Sequence, residues 1–294
     1  MHYSSSGKLL ITGEYVVLDG AQSLAIPTKF GQSLEVLSMD EPIVQWKSLD
    51  ENNQVWFECE MEPGSLQLMN SSYYSEEENP IENTAEILQS ILMEAQQLNP
   101  SFLADKKGFQ VTAKLTFPRN WGLGSSSTLI NNIANWAQID AYQLLRKTFG
   151  GSGYDIACAQ KNHPIVYHLM NHKPIIKEVQ FNPVFKNQLY FIHLNQKQDS
   201  RKGIEQYRKY QGNLASAITE ISAITAAILK VSDIIEFDKL IAEHEQTIAK
   251  IIQQKPIQQT HFADYFGQIK SLGAWGGDFI LATGNENTPQ YFIN

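Results

Sequence analysis

The chain has 294 residues, 43% of them hydrophobic, which is enough for one large domain or two modest ones. Lys plus Arg total 23 against 31 Asp plus Glu, a net charge of −8. That balance argues against a general nucleic-acid surface, which needs basic patches to displace counterions, but leaves room for a local basic pocket that takes one small anion.

In chain order, "KLLITGEYVVLDG" predicts a strand, a turn at Thr12-Gly13 and a second apolar stretch closing at Asp19-Gly20. "QSLEVLSM" alternates as a strand exposed on one face, and "PIVQWKSL" and "NQVWFECEM" predict a meander turned at "DENN". "SSYYSEEENP" is polar and predicts a surface loop, and "ENTAEILQSILMEAQQLN" places Ile87, Leu88, Ile91, Leu92, Ala95 and Leu98 at helical spacing before Pro100. "GFQVTAKLTF" predicts a strand, "WGLGSSST" a glycine-serine loop, and the following residues one helix through about Leu145. "TFGGSGYDIACAQ" is a second glycine-rich turn into a short helix, and "PIVYHLM" with "KPIIKEVQF" predicts a hairpin. Texture changes at "FNPVFKN", giving an expected division into residues 1–185 and 186–294. Beyond it come a strand, "QLYFIHLN", two long helical segments near 203–231 and 233–254, a helical "FADYFGQIKSL", the glycine loop "GAWGGD" and the strand "FILAT". A meander mixed with helices indicates an α+β fold, not an alternating βαβ sheet.

Two cysteines, Cys59 and Cys158, make no CxxC pair and no disulfide framework. Residues 1–15 lack the charged start and apolar core of a signal peptide, and no apolar run approaches the roughly 20 residues of a membrane span. A cytoplasmic protein with no membrane partner is expected, as a monomer or homodimer.

The loop Trp121-Gly122-Leu123-Gly124-Ser125-Ser126-Ser127-Thr128 joins a strand to a helix. Its glycines let backbone N–H groups approach a bulky anion, and the helix N-terminus adds unpaired donors and partial positive charge. Ser125, Ser126 and Ser127 add hydroxyls suited to phosphate oxygens or magnesium. The alternative is a tight turn in which one serine caps the helix, and the loop alone leaves both readings open. It is not a dinucleotide fingerprint, because Ser127 stands where the third glycine belongs, nor a Walker A loop, because Gly7-Lys8 is followed by Leu9.

Three segments in order, "SSSGKLLITGEYVVLDG", "FPRNWGLGSSST" and "SLGAWGGDFILAT", resemble the three motifs of the GHMP kinases, with "GYDIA" where the mevalonate-type members carry a Gly-x-Asp segment. The resemblance spans nearly the whole chain and is nearest the mevalonate and phosphomevalonate kinases. It implies an N-terminal part like the second domain of ribosomal protein S5, a ferredoxin-like C-terminal part, and ATP meeting a small-molecule acceptor. It also implies roles. Asp155 would accept the acceptor's hydroxyl proton or orient that hydroxyl, and Lys8 would steady negative charge beside it. Trp121 to Ser127 would cradle the triphosphate, and Ser126 would hold Mg2+. Glu14, Ser200, Arg201, Gly276 and Gly277 would lie at the acceptor.

Structural alternatives stand beside these roles: Asp155 as a helix cap with a lowered pKa, Glu14 as a turn residue, and Ser200-Arg201 as part of a solvated run with Lys197 and Lys202. The pattern departs where mevalonate kinase carries a second magnesium ligand, a glutamate eleven positions before the aspartate; here Leu144 stands there. A non-catalytic nucleotide sensor and a diphosphomevalonate decarboxylase-like enzyme are the rival readings. The Gly-Ser-Ala-x-Arg segment of the decarboxylases is not seen at "GGSGYDIA".

Overall fold

Strand-forming alternation dominates the first hundred or so residues, and it builds the larger of two sheets. A computed structural model describes residues 1–74, 84–105, 107–196, 200–273, 275 and 277–293, with the side chains of 200–202 outside the description. The chain divides into two compact units that interleave in sequence. The first comprises residues 1–8, 27–119 and 123–162; the second comprises 9–26, 120–122 and 163–294.

In the first unit the strands are β1 (His2–Leu10), β2 (Ser23–Met39), β3 (Val44–Leu49), β4 (Val55–Met61), β5 (Leu68–Tyr73) and β6 (Gly108–Leu115). They run in the order β5-β4-β3-β6-β2, with β1 also paired to β2. Period-two burial sets the register: Val44, Trp46 and Ser48 of β3 point inward opposite Met61, Cys59 and Phe57 of β4. Helix α1 (Thr84–Leu98) covers that inner face with Ala85, Leu88, Ile91, Leu92 and Ala95, and α2 (Ser125–Ala137) adds Ile130, Ile133 and Ala134 to the same core.

The expected single helix through Leu145 is two. Gln138 adopts φ 56° and closes α2, and Asp140 then caps α3 (Ala141–Lys147) by accepting from the Tyr142 N–H. The short α4 (Tyr154–Ala159) follows the second glycine turn. The segment read as a loop after "LQLM" is partly strand, since Ser71, Ser72 and Tyr73 pair with Cys59, Glu58 and Phe57 in β5. Ladder bonds to β4 override its polar composition. The rest of that loop from residue 75 to residue 80, and the first two residues of the expected helix, 82 and 83, lie outside the described residues.

In the second unit the predicted hairpin is β7 (Ile165–Met170) with β8 (Lys173–Glu178), and Ser23, Leu24 and Ala25 pair with β7. A three-stranded antiparallel sheet runs β10 (Ile269–Leu272), β11 (Phe279–Thr283), β9 (Leu189–His193). The helices here are α5 (Ser200–Arg208), α6 (Leu214–Ile228), α7 (Ile234–Ile252), α8 (Ile257–His261) and α9 (Thr288–Ile293).

Two expectations are corrected in this unit. The long helix near 203–231 is broken by Tyr210–Asn213, because Asn213 leaves helical geometry and caps α6 through Ser216 N–H. "FADYFGQIKSL" is not helical. Its residues 269–272 are wholly buried as β10 against β11, so its apolar spacing reflects two-sided burial. No described helix is long and apolar enough to cross a membrane.

Candidate active site

Gly124 sits at the cap position of α2 with φ 91°, a left-handed conformation that costs glycine nothing. A Cβ there would lie 2.7 Å from Ser127 Oγ. The serine-cap alternative is corrected: no side chain caps this helix, and Ser125, Ser126 and Ser127 are its first three residues. The first backbone bond of the helix is Thr128 N–H to Gly124 O at 3.0 Å, so the preceding N–H groups have no backbone partner among the described residues. The Ser127 hydroxyl is used internally, donating to Gly124 O at 2.9 Å, while Ser126 is exposed.

Strand β1 is locked to this loop. Lys8 N–H donates to Leu123 O at 2.9 Å, and a Cβ on Gly7 would come within 2.9 Å of the same oxygen. Only glycine at position 7 allows that approach. Leu123 is buried and anchors the turn. The Lys8 side chain runs along Gly124, whose added Cβ would lie 3.3 Å from Lys8 Cγ.

Asp155 lies in the first turn of α4, whose cap is Gly153 at φ 86°, so the aspartate is not the cap. Its Oδ1 accepts from Ile156 N–H at 3.0 Å. Part of the residue remains accessible, yet lost hydration of the carboxyl outweighs the opposing pull of Lys8 and of the backbone N–H groups. Its pKa is therefore raised, where a helix N-terminus alone would lower it. A raised pKa makes it a better proton acceptor.

Sequence reading missed Tyr142. Its hydroxyl is buried without a hydrogen-bond partner among the described residues, and burial followed by the Asp155 charge pushes its pKa up. Nothing in the spacing of Tyr142 and Asp155 announces that proximity. Cys158, one turn after Asp155, is likewise pushed up by burial and then by Asp155. Leu144 is fully buried in the hydrophobic core of this unit and offers no ligand.

The other predicted residues belong to the second unit. Trp121 packs its indole on His193 and Phe279, with ring centroids 5.6 and 5.7 Å away. Gly122 has φ 66°, and a Cβ there would strike the Asp278 carboxylate at 2.5 Å. Gly277 is buried just before β11. Gly276 lies outside the described residues; Ser200 and Arg201 open α5 with side chains outside the description.

Glu14 is 1% exposed. Its Oε1 accepts from Lys270 Nζ, and its Oε2 lies 3.3 Å from His244 Nε2. That imidazole nitrogen accepts from Gly13 N–H at 2.8 Å, and burial lowers the His244 pKa well below its ordinary value, so the ring is neutral with its proton on Nδ1. Beside it, Glu245 Oε1 accepts from the Ser271 N–H and hydroxyl, and burial raises the Glu245 pKa to about 7. Lys270, His244 and Glu245 were not singled out in the sequence, where each sits in an ordinary-looking helix or strand.

Tyr15 completes this region with φ 63°, its hydroxyl accepting from Trp275 N–H at 3.3 Å and its ring stacked on Tyr207. A Cβ on Gly203 would meet the Tyr15 hydroxyl at 2.3 Å, so Gly203 lets α5 pass closely.

The structure thus brings Lys8, Leu123, Gly124, Ser125, Ser126, Ser127 and Asp155 into the first unit, and places Glu14, Trp121, Gly122 and Gly277 in the second.

No protein-family model and no curated protein matches the chain in sequence. Solved structures do match in fold. The mevalonate kinase of Methanococcus jannaschii matches with a TM-score of 0.69 at 16% identity, over 100% of this chain and 93% of that one. The phosphomevalonate kinase of Streptococcus pneumoniae, solved with phosphomevalonate and AMPPNP, matches at 0.66 and 16%, over 100% and 95%. The galactokinase of Lactococcus lactis, solved with galactose, matches at 0.66 and 13%, over 99% and 87%. These proteins are GHMP kinases, and the chain has their fold.

Proposed function

We propose that this chain is an ATP-dependent small-molecule kinase that transfers the γ-phosphoryl group to a hydroxyl or phosphate of a mevalonate-like acceptor. The observation that carries the reading is the first unit's grouping of a raised-pKa carboxyl, a lysine that acts on it and a helix N-terminus with free N–H groups. The shared fold with mevalonate, phosphomevalonate and galactose kinases supports it.

Phosphoryl transfer asks for positioning and charge neutralisation more than covalent chemistry. In this reading the N–H groups of Ser125 to Ser127 and the dipole of α2 bind phosphate oxygens. Lys8 offsets charge on the acceptor oxygen and the transferring group. Asp155 orients the acceptor hydroxyl and takes its proton as the oxygen attacks phosphorus. The reading assigns Trp121, packed on His193 and Phe279, to the nucleotide, and Glu14, Gly276, Gly277, Ser200 and Arg201 to the acceptor.

The donor set suits magnesium, which accepts one protein hydroxyl when phosphate oxygens and waters complete its shell. Among the described residues no three His, Cys, Asp or Glu side chains group as a metal cage, and Ser126 is exposed at the head of α2. Ser126 would hold the ion, which would neutralise charge on the triphosphate.

A coupled ADP-release assay over mevalonate, phosphomevalonate, galactose and related sugars tests the reading. Asp155→Asn is expected to lower turnover by at least about a hundredfold, the usual scale of proton-transfer catalysis, while ATP binding persists. Turnover like wild type in that variant would remove Asp155 from the mechanism. Nucleotide binding with no ADP release on any acceptor would favour the sensor reading instead.

A further inference from the structure

A groove of about 600 Å³ opens in the first unit, away from the residues assigned above. It runs between β1, the middle of β2 from Lys29 to Ser33, Thr116 just after β6, the flank of α2 and the end of α4 with the residues that follow it. Its volume falls within the range of small-molecule sites, roughly 300–1,000 Å³. Ten of its fourteen lining residues are Ser, Thr, Asn or Gln, the only cation is Lys29, and no carboxylate takes part.

The wall is built and held in place. Asn131 Nδ2 donates to Ser5 Oγ at 2.9 Å, Ser5 Oγ donates to Asn132 Oδ1 at 2.7 Å, and Gln160 Nε2 donates to Asn131 Oδ1 at 2.9 Å. Ser5 and Asn131 are buried, so this network fixes the orientation of the amides at the surface of the groove. Gln32 is held in the same way: it is only 7% exposed and its Oε1 accepts from Thr128 Oγ1 at 2.9 Å, which turns the Nε2 end of the amide to water or a ligand.

We propose that this groove binds a neutral polyhydroxylated ligand, a sugar or cyclic polyol, at a site separate from the candidate active site. The chemistry decides the class. Hydroxyls both donate and accept, as do carboxamides and Ser/Thr side chains, so a polyol can satisfy this lining group by group. A polyanion would meet one lysine, and a lipid would leave the amides unpaired. The groove shares β1, α2 and α4 with Lys8, Ser126 and Asp155, but uses other stretches of each: Ser4–Ser6, Asn131 with Asn135, and Ala159–Gln160. A ligand there would bind without touching Asp155.

The test is NMR titration of the full chain, following the side-chain amides of Asn131, Asn135 and Gln160, with galactose, myo-inositol, adenosine and inorganic phosphate as probes. Saturable shifts of these amides are expected with galactose or myo-inositol. Asn135→Ala and Gln160→Ala, both exposed positions, are expected to weaken that binding at least about tenfold. Asp155→Asn is expected to leave it unchanged, which separates this site from the kinase reading. The proposal is overturned by absence of shifts with both polyols, by shifts with adenosine or phosphate alone, or by loss of the polyol shifts in Asp155→Asn.

Discussion

Glu245 shows how a single buried side chain makes stability depend on pH. Its pKa is raised from 4.5 to about 7, chiefly by burial and against the pull of Lys270. The folded state therefore holds a proton that the unfolded state has released across that window. Its contribution is full below the unfolded value and lost as pH rises through the folded one. The shift corresponds to up to roughly 3 kcal/mol. Glu245→Gln keeps an acceptor for Ser271 and cannot ionise, so denaturation midpoints between pH 5 and pH 8 should fall less steeply than in wild type. Glu14 and Asp155, also raised by burial, leave a residual slope of the same sign. An unchanged slope in the variant would show that Glu245 does not titrate there. Residue types were legible at Lys8, Asp155 and the glycines, because their neighbours in sequence carry the motif. Tyr142 was not, because its closeness to Asp155 arises from α3 and α4 both packing against α2 and from no pattern of spacing.

Caps decide where the helices stop and start. Asp140 and Asn213 each accept a backbone N–H at the head of α3 and α6, and both break a helix that apolar spacing alone would run through. Asp140→Ala and Asn213→Ala should each cost about 1 kcal/mol in urea denaturation. Ser126→Ala, exposed and capping nothing, should stay within about 0.5 kcal/mol. A loss at Ser126 as large as at the two caps would contradict the assignment of Gly124 as the cap of α2. The strand β10 was illegible for a related reason. Four consecutive buried residues have no period-two signal, and the flanking "FADYFGQ" supplied apolar spacing that imitates a helix.

Across the whole chain, the tie that sequence could not announce is the contact between Glu14 and Lys270, which are 256 positions apart within the second unit. Both are removed from water, so the pair returns little net stability, but breaking it strands a buried charge. Lys270→Met should destabilise by about 3–5 kcal/mol, and adding Glu14→Gln should recover most of that loss. A single variant costing less than about 1 kcal/mol would show that the pair is not coupled. Forming such distant contacts also requires closing long loops first, which slows folding.

What the sequence by itself determined is what local chemistry encodes: the α+β class, most strands by their alternation, the glycine turns that need left-handed φ, and the three motif segments that resemble GHMP kinases. Those features depend on a few neighbouring residues, so they survive without a structure. Only the tertiary structure decided that Gly124 rather than a serine caps α2, that burial lifts the Asp155 pKa against the helix N-terminus, and that Lys270, His244 and Glu245 surround Glu14. It alone assembled the polar groove from five separated stretches. Burial and long-range pairing set those outcomes, and both are properties of the packed chain that no short window of sequence contains.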